Sequence, residues 1–263
     1  MSKVTTAWLI IITFGTIVMA QENSLTVEQI VRQANQVMYS QGENSRANAK
    51  MTITNRRGRT RLREFVVLRQ DKDEQGDEQN FFVYFSSPSE VLGTALLTWK
   101  HGQRADDRWL YLPALDVVRR IAATNERSSF VGSNFFYEDI TGRSIEADSH
   151  QLSETTDLYY IVNSRPKQTS SVEFDSYQTW IHRESLVPVK LEFSKSNKVY
   201  RTVETLAVAM LEGYQTVTQI RITDVKSGGY TVIEYLAVTY DLDLDDGIFS
   251  EQSLRNPPAI GKG

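Results

Sequence analysis

The sequence of 263 residues has no cysteine. That absence excludes disulfides, thiolate zinc sites, iron–sulfur clusters, a cysteine nucleophile and a lipidated-cysteine anchor within this chain. Histidine is scarce as well. His101, His150 and His182 stand in separate segments with no ligand-like spacing, and each reads as an exposed or edge histidine. No G-x-S-x-G elbow, P-loop or G-x-G-x-x-G occurs. Basic residues are outnumbered, 29 against 33, for a net charge of −4. A duplex-binding protein carries the opposite balance, so nucleic acid is disfavoured as a partner. After the first twenty residues no apolar run approaches the ~20 residues needed to span a bilayer as a helix.

Those first twenty residues have the three parts of a secretory signal. Lys3 gives a positive start, Trp8 to Val18 an apolar stretch, and Val18 and Ala20 small or medium residues before a cleavage point at Gln21. The expectation is an exported protein of residues 21–263.

One amphipathic helix opens the mature chain. Thr26 with Gln29 has the spacing of a capping box. Leu25, Ile30, Val31, Ala34, Val37 and Met38 then fall on one face, and Gly42 ends the run. From Ala49 onward the period changes to two. About eleven short strands follow, from Ala49–Ile53 to Tyr230–Tyr240, and a short helix is expected at Glu251–Leu254. Ser196-Asn197, Glu212-Gly213 and Ser227-Gly228-Gly229 mark tight turns. Consecutive strands joined by tight turns form an antiparallel meander, and one that wide must curl. The fold class expected is mainly β: a curved antiparallel sheet forming an incomplete barrel, with the N-terminal helix packed in its concave face. No linker composition divides the chain, so one domain is expected.

Candidate chemistry is thin. Glu138 and Asp139, with Glu146 and Asp148 nearby, are candidates for a carboxylate pair, but adjacent residues on a strand point to opposite faces, and helix capping or loop hydrogen bonding is the simpler role. Asp241, Asp243, Asp245 and Asp246 resemble a calcium loop, but Gly247 falls one position late. Two features stand out. Apolar and aromatic residues load the strands, and a curved sheet filled by one helix leaves room for an apolar cavity. The lining expected is Met51, Phe65, Phe85, Trp99, Trp109 and Tyr111 from strands, with Ile30 and Val37 from the helix. The second feature is a basic hairpin, Arg56, Arg57, Arg59, Arg61 and Arg63, together with Arg119-Arg120, in an acidic chain. Arg57, Arg59, Arg61, Arg119 and Arg120 are candidates for contact with anionic headgroups or an acidic partner, against the plainer role of guarding a sheet edge.

The middle of the chain carries a resemblance. Pro88-Ser-Glu-Val-Leu-Gly-Thr-Ala-Leu-Leu97, Asp107-Arg-Trp-Leu-Tyr-Leu-Pro-Ala-Leu115, Val118-Arg-Arg-Ile121 and Ser129-Phe-Val-Gly-Ser-Asn-Phe-Phe-Tyr-Glu-Asp139 occur in order. This set resembles the periplasmic outer-membrane lipoprotein-sorting protein family, of the LolA-like superfamily, over roughly Val27 to Leu254. The resemblance implies an incomplete β-barrel closed by helices and an apolar cavity for acyl chains. It also implies a periplasmic location and an RND-type inner-membrane transporter as partner. The function it implies is a carrier that shuttles a lipid or lipoprotein between inner and outer membrane, with transient membrane contact, no cofactor and no bond chemistry. A second reading is a periplasmic interaction subunit that docks on a transporter and carries nothing. An enzyme is the third.

Overall fold

The computed structural model describes residues 25–258. The expected signal segment lies outside them. Helix α1 (Val27–Tyr39) begins as expected: the Thr26 hydroxyl accepts the Gln29 N–H, and the Gln29 side chain accepts the Thr26 N–H at 2.8 Å. It stops at a Ser40 cap, two residues before Gly42.

Thirteen strands follow: β1 (Asn44–Thr54), β2 (Thr60–Asp71), β3 (Gln79–Ser87), β4 (Ala95–Lys100), β5 (Asp107–Leu112), β6 (Val117–Ile121), β7 (Asp148–Thr155), β8 (Tyr159–Pro166), β9 (Ser176–His182), β10 (Pro188–Lys195), β11 (Lys198–Leu211), β12 (Tyr214–Asp224) and β13 (Gly229–Tyr240). They form one antiparallel sheet in the order β6-β5-β4-β3-β2-β1-β13-β12-β11-β10-β9-β8-β7. Every neighbour pair but β1–β13 is consecutive in sequence, which is the meander expected. That single long-range pairing joins two half-meanders, with Met51 opposite Ile233. β6 and β7 are the two edges, so the sheet curls without closing into a barrel.

The chain between those edges, residues 122–147, turns inward. It holds the short helix α2 (Tyr137–Thr141) and three buried aromatic side chains, Phe130, Phe135 and Tyr137. These pack with Met51, Phe65 and Phe85 on the inner face of the sheet. On the outer face Val66, Leu68, Phe82, Leu97 and Trp109 are covered by Phe249 and by Leu254 of α3 (Glu251–Arg255). Period-two alternation generates both faces from the same strands, so β4 sends Leu96 inward and Leu97 outward.

Candidate functional site

Helix α1 lies on the inner face over the second half-meander, where Ile30 and Ala34 meet Val162 and Ile181. The fit is incomplete. A cavity of about 130 Å³ remains, with apolar walls from Val31, Ala34 and Met38 of α1 and Leu191, Phe193 and Ile222 of the sheet. A second cavity of about 110 Å³ lies toward Val67, Val217 and Tyr235. Met38, Tyr39, Asp139 and Ile220 border both, so the last turn of α1 separates two parts of one apolar interior.

The helix is held unevenly. At its C-terminal end Gln79 donates to the Tyr39 carbonyl (3.2 Å) and to the Ser40 hydroxyl (2.9 Å). Arg69 donates to the Gln41 carbonyl and, at 2.7 Å, to that of Gly42. Buried Lys100 donates to the Thr141 carbonyl (3.0 Å) and sits 5.9 Å from the Tyr39 ring; burial holds its ammonium below the ordinary lysine range. These donors meet the negative end of the helix dipole. Nearer the N-terminal end the polar ties are exposed ion pairs from Arg32 to Asp77 and Glu146, each at 3.3 Å. Such pairs contribute ~1 kcal/mol or less.

One wall of the first cavity is charged but internally neutralised. Glu138, at the start of α2, accepts from Arg127 and, at 2.7 Å, from Arg143. Arg127 also grips Glu173 with two bonds (2.7 and 2.8 Å), and Arg143 grips Asp148 with two (2.8 and 2.9 Å). Asp139 pairs with Arg201, whose guanidinium lies 4.4 Å from the Phe136 ring. Burial raises the Asp139 carboxyl, and Arg201 offsets that only in part. Burial, with Asp139 second, also pushes the Tyr39 hydroxyl up, so it stays neutral. Three guanidinium groups thus face four carboxylates, and the wall has no spare positive charge for an anion.

Adjacent Glu138 and Asp139 therefore reach different arginines from one helical turn, which fits structural hydrogen bonding. The aspartates after β13 have backbone roles: Asp241 accepts the Glu43 N–H at 2.8 Å, and Asp245 the Gly247 N–H at 2.7 Å.

The expected cavity residues separate into three groups. Val37 borders the second cavity. Met51, Phe65 and Phe85 are inner-face residues packed solid around Phe130, and Ile30 is sealed against Val162 and Ile181. Trp99, Trp109 and Tyr111 require a correction. They belong to the outer face, where the Trp99 indole donates to the Phe249 carbonyl at 2.9 Å. Strand register puts Leu96 and Leu110 inward, so their odd-numbered neighbours point away.

The basic residues divide too. Arg57, Arg59 and Arg61 are exposed at and beside the β1–β2 turn. Arg119 and Arg120 are also exposed, on opposite faces: Arg119 pairs with inward Leu110, and Arg120 with outward Trp109. Arg120 is ion-paired to Asp107 yet 68% exposed. Arg120→Ser should change stability by less than about 1 kcal/mol in a thermal melt. A larger loss would make that arginine structural.

An open, curled antiparallel sheet holding a helix and an apolar interior defines a LolA-like fold, and solved structures share it. A DUF1329 family protein from Desulfovibrio piger is 26% identical, covering 86% of this chain and 97% of that one, with a TM-score of 0.79. A domain from Vibrio parahaemolyticus named for outer membrane lipoprotein sorting is 24% identical (87% and 97% covered, TM-score 0.77). A LolA superfamily protein from Nitrosomonas europaea is 22% identical (87% and 99%, TM-score 0.68). No curated protein matches the sequence. A family model described as uncharacterized protein matches residues 77–256, and the chain belongs to that family, DUF1329.

The charged wall is the part that sequence reading missed. Arg127 and Arg143 stand in one irregular stretch with no pattern to mark them, and only the fold brings Glu173 and Arg201 to this wall. Glu138, Asp139 and Asp148 are visible in the sequence only as neighbouring carboxylates.

Proposed function

We propose that residues 21–263 form one periplasmic carrier domain that takes the acyl chains of a lipid or lipoprotein between α1 and the inner face of the sheet. The carrier moves its cargo between inner and outer membrane, with an RND-type inner-membrane transporter as donor or acceptor. The observation that carries this reading is the divided apolar interior on both sides of α1. Each buried CH₂ is worth about 0.8 kcal/mol, so a protein that lends an acyl chain such a lining lowers the cost of crossing water. The charged wall supports tail-first entry, because its three guanidinium groups face four carboxylates and leave no net positive charge for an anionic headgroup.

At about 130 Å³ the cavity is smaller than the ~300–1,000 Å³ usual for small-molecule sites. Loading therefore requires α1 to move. Firm anchoring at Tyr39–Gly42 and exposed ties at Arg32 favour a swing about the C-terminal end of the helix, which would merge the two cavities.

Leu191→Trp tests this. The indole would fill the first cavity, and cargo would have to displace a side chain whose burial is worth about 1.5–3 kcal/mol. Native mass spectrometry after purification without detergent should show lipid on the parent and at least about tenfold less on the variant. An equal lipid load would overturn the placing of the acyl chain in this cavity, and no lipid on the parent would leave the reading of a transporter-docking subunit that carries nothing.

A further inference from the structure

Three hairpin tips that neighbour one another at one end of the sheet share an unusual surface chemistry. The β1–β2 tip carries Arg56, Arg57 and Arg59, the β12–β13 tip Lys226, and the β10–β11 tip Lys195 and Lys198. Register places them side by side, with Thr54 opposite Tyr230 and Arg201 opposite Asp224. A Cβ built on Gly228 would lie 3.7 Å from that of Arg56. All six basic side chains are exposed, and none forms an ion pair among the described residues. The nearby carboxylates serve the turns: Asp224 accepts the Lys226 and Ser227 N–H groups (2.9 and 3.0 Å), and Asp175 that of Ser196.

Apolar side chains are exposed among these cations: Val199, Val225 and Tyr230. The other end of the same sheet is acidic, with Glu43, Asp73, Glu74, Asp77, Asp243 and Asp245 in its loops. A chain of net charge −4 is thus polarised along its strands.

We propose that the basic end docks on an anionic lipid bilayer. Its long cationic side chains would meet lipid phosphates, while Val199, Val225 and Tyr230 enter the interface. The acidic end would point away, so that the field orients the protein before contact. An acidic protein would satisfy the charges alone; a bilayer accounts for the apolar tips as well. The surface does not depend on what the cavity holds.

The test is co-sedimentation with vesicles of equimolar phosphatidylglycerol and phosphatidylethanolamine, against vesicles of phosphatidylcholine. The parent should bind the anionic vesicles at low salt and leave them at about 1 M salt, where the Debye length is ~3 Å. Replacing Arg56, Arg57 and Lys226 by serine should weaken binding by about fivefold per charge, roughly a hundredfold in all. Val199→Ser with Val225→Ser should weaken it while leaving its salt dependence unchanged. Asp73→Ser with Glu74→Ser, at the far end, should not weaken it. Thermal melts and lipid co-purification on the same preparations separate a failed surface from a failed fold or a failed cavity. Equal binding to both vesicle types, full binding by the triple variant, or no binding at low salt would each overturn the proposal. The last would assign these cations to an acidic protein partner.

Discussion

Glu138→Gln should destabilise the protein by about 3–5 kcal/mol, the cost of breaking a buried ion cluster by removing one partner. Only 5% of the Glu138 side chain is exposed, and it neutralises two guanidinium groups at once, those of Arg127 and Arg143. Glutamine keeps the shape and one acceptor oxygen but not the charge. Both arginines retain Glu173 and Asp148 as partners, which places the loss in this range rather than beyond it. For a chain of this length ~2–4 °C of melting temperature follows each kcal/mol, so a fall of about 10 °C is expected. Acid supplies an independent reading. Burial pushes the Glu138 carboxyl up, but Arg127 and Arg143 together outweigh it and hold the group below its ordinary value of 4.5. Glu173 is held at about 2, Arg127 again overcoming the effect of burial. A carboxylate depressed in the folded state stabilises fully above its unfolded value, and loses that contribution as pH falls through the folded one. Asp139 acts with the opposite sign, because its folded value is raised and protonation relieves it. Stability should therefore fall between about pH 4.5 and 2 in the parent and fall less steeply in Glu138→Gln. A variant with parental melting temperature and acid profile would show that the cluster contributes no net stability.

Why the strands were legible and the cluster was not follows from what each depends on. Ala49, Met51 and Ile53 of β1 alternate with polar neighbours because one face of the sheet is buried there, and that pattern survives in the bare sequence. β7 breaks the rule. It is an edge strand, Asp148–Thr155, with almost no buried side chain, so no alternation marks it. In β4 and β5 both faces are buried, and the pattern cannot say which face turns inward, so the sequence alone does not separate Trp99, Trp109 and Tyr111 from the inner face. The helix was readable down to its capping box because capping is local. The Arg127–Glu138–Arg143–Asp148 cluster lies in an irregular stretch where no helix or strand period places side chains, and its ties to Glu173 and Arg201 are long-range. Its sole trace is a run of charged residues in a stretch that otherwise reads as loop.

Phe130→Ala should cost about as much, by a different route. Phe130 is fully buried and packs its ring against Phe65, Phe85 and Tyr137 at centroid distances of 6.2, 5.6 and 5.7 Å. It stands on the inward-turning chain that links the two edge strands, so it fastens that segment to the first half-meander. The backbone there is committed to the turn: the Phe130 N–H donates to the Phe135 carbonyl at 2.7 Å, and Val131 and Gly132 have φ of 47° and 74°. A non-glycine residue pays for the left-handed region, so Val131 holds it only because its surroundings are packed. Truncating the ring leaves a void that the surrounding sheet cannot collapse to fill, and such Phe→Ala changes cost ~3–5 kcal/mol. Chemical denaturation should show a lower midpoint with an unchanged slope, since a native state that keeps its sheet exposes the same surface on unfolding. Phe130→Leu should recover most of the loss, because it restores most of the buried volume. If Phe130→Ala instead lowers the slope, the inward segment has detached while the sheet stays folded. If it changes neither midpoint nor slope, the inner face does not need its plug, and the two half-meanders are held by the β1–β13 pairing alone.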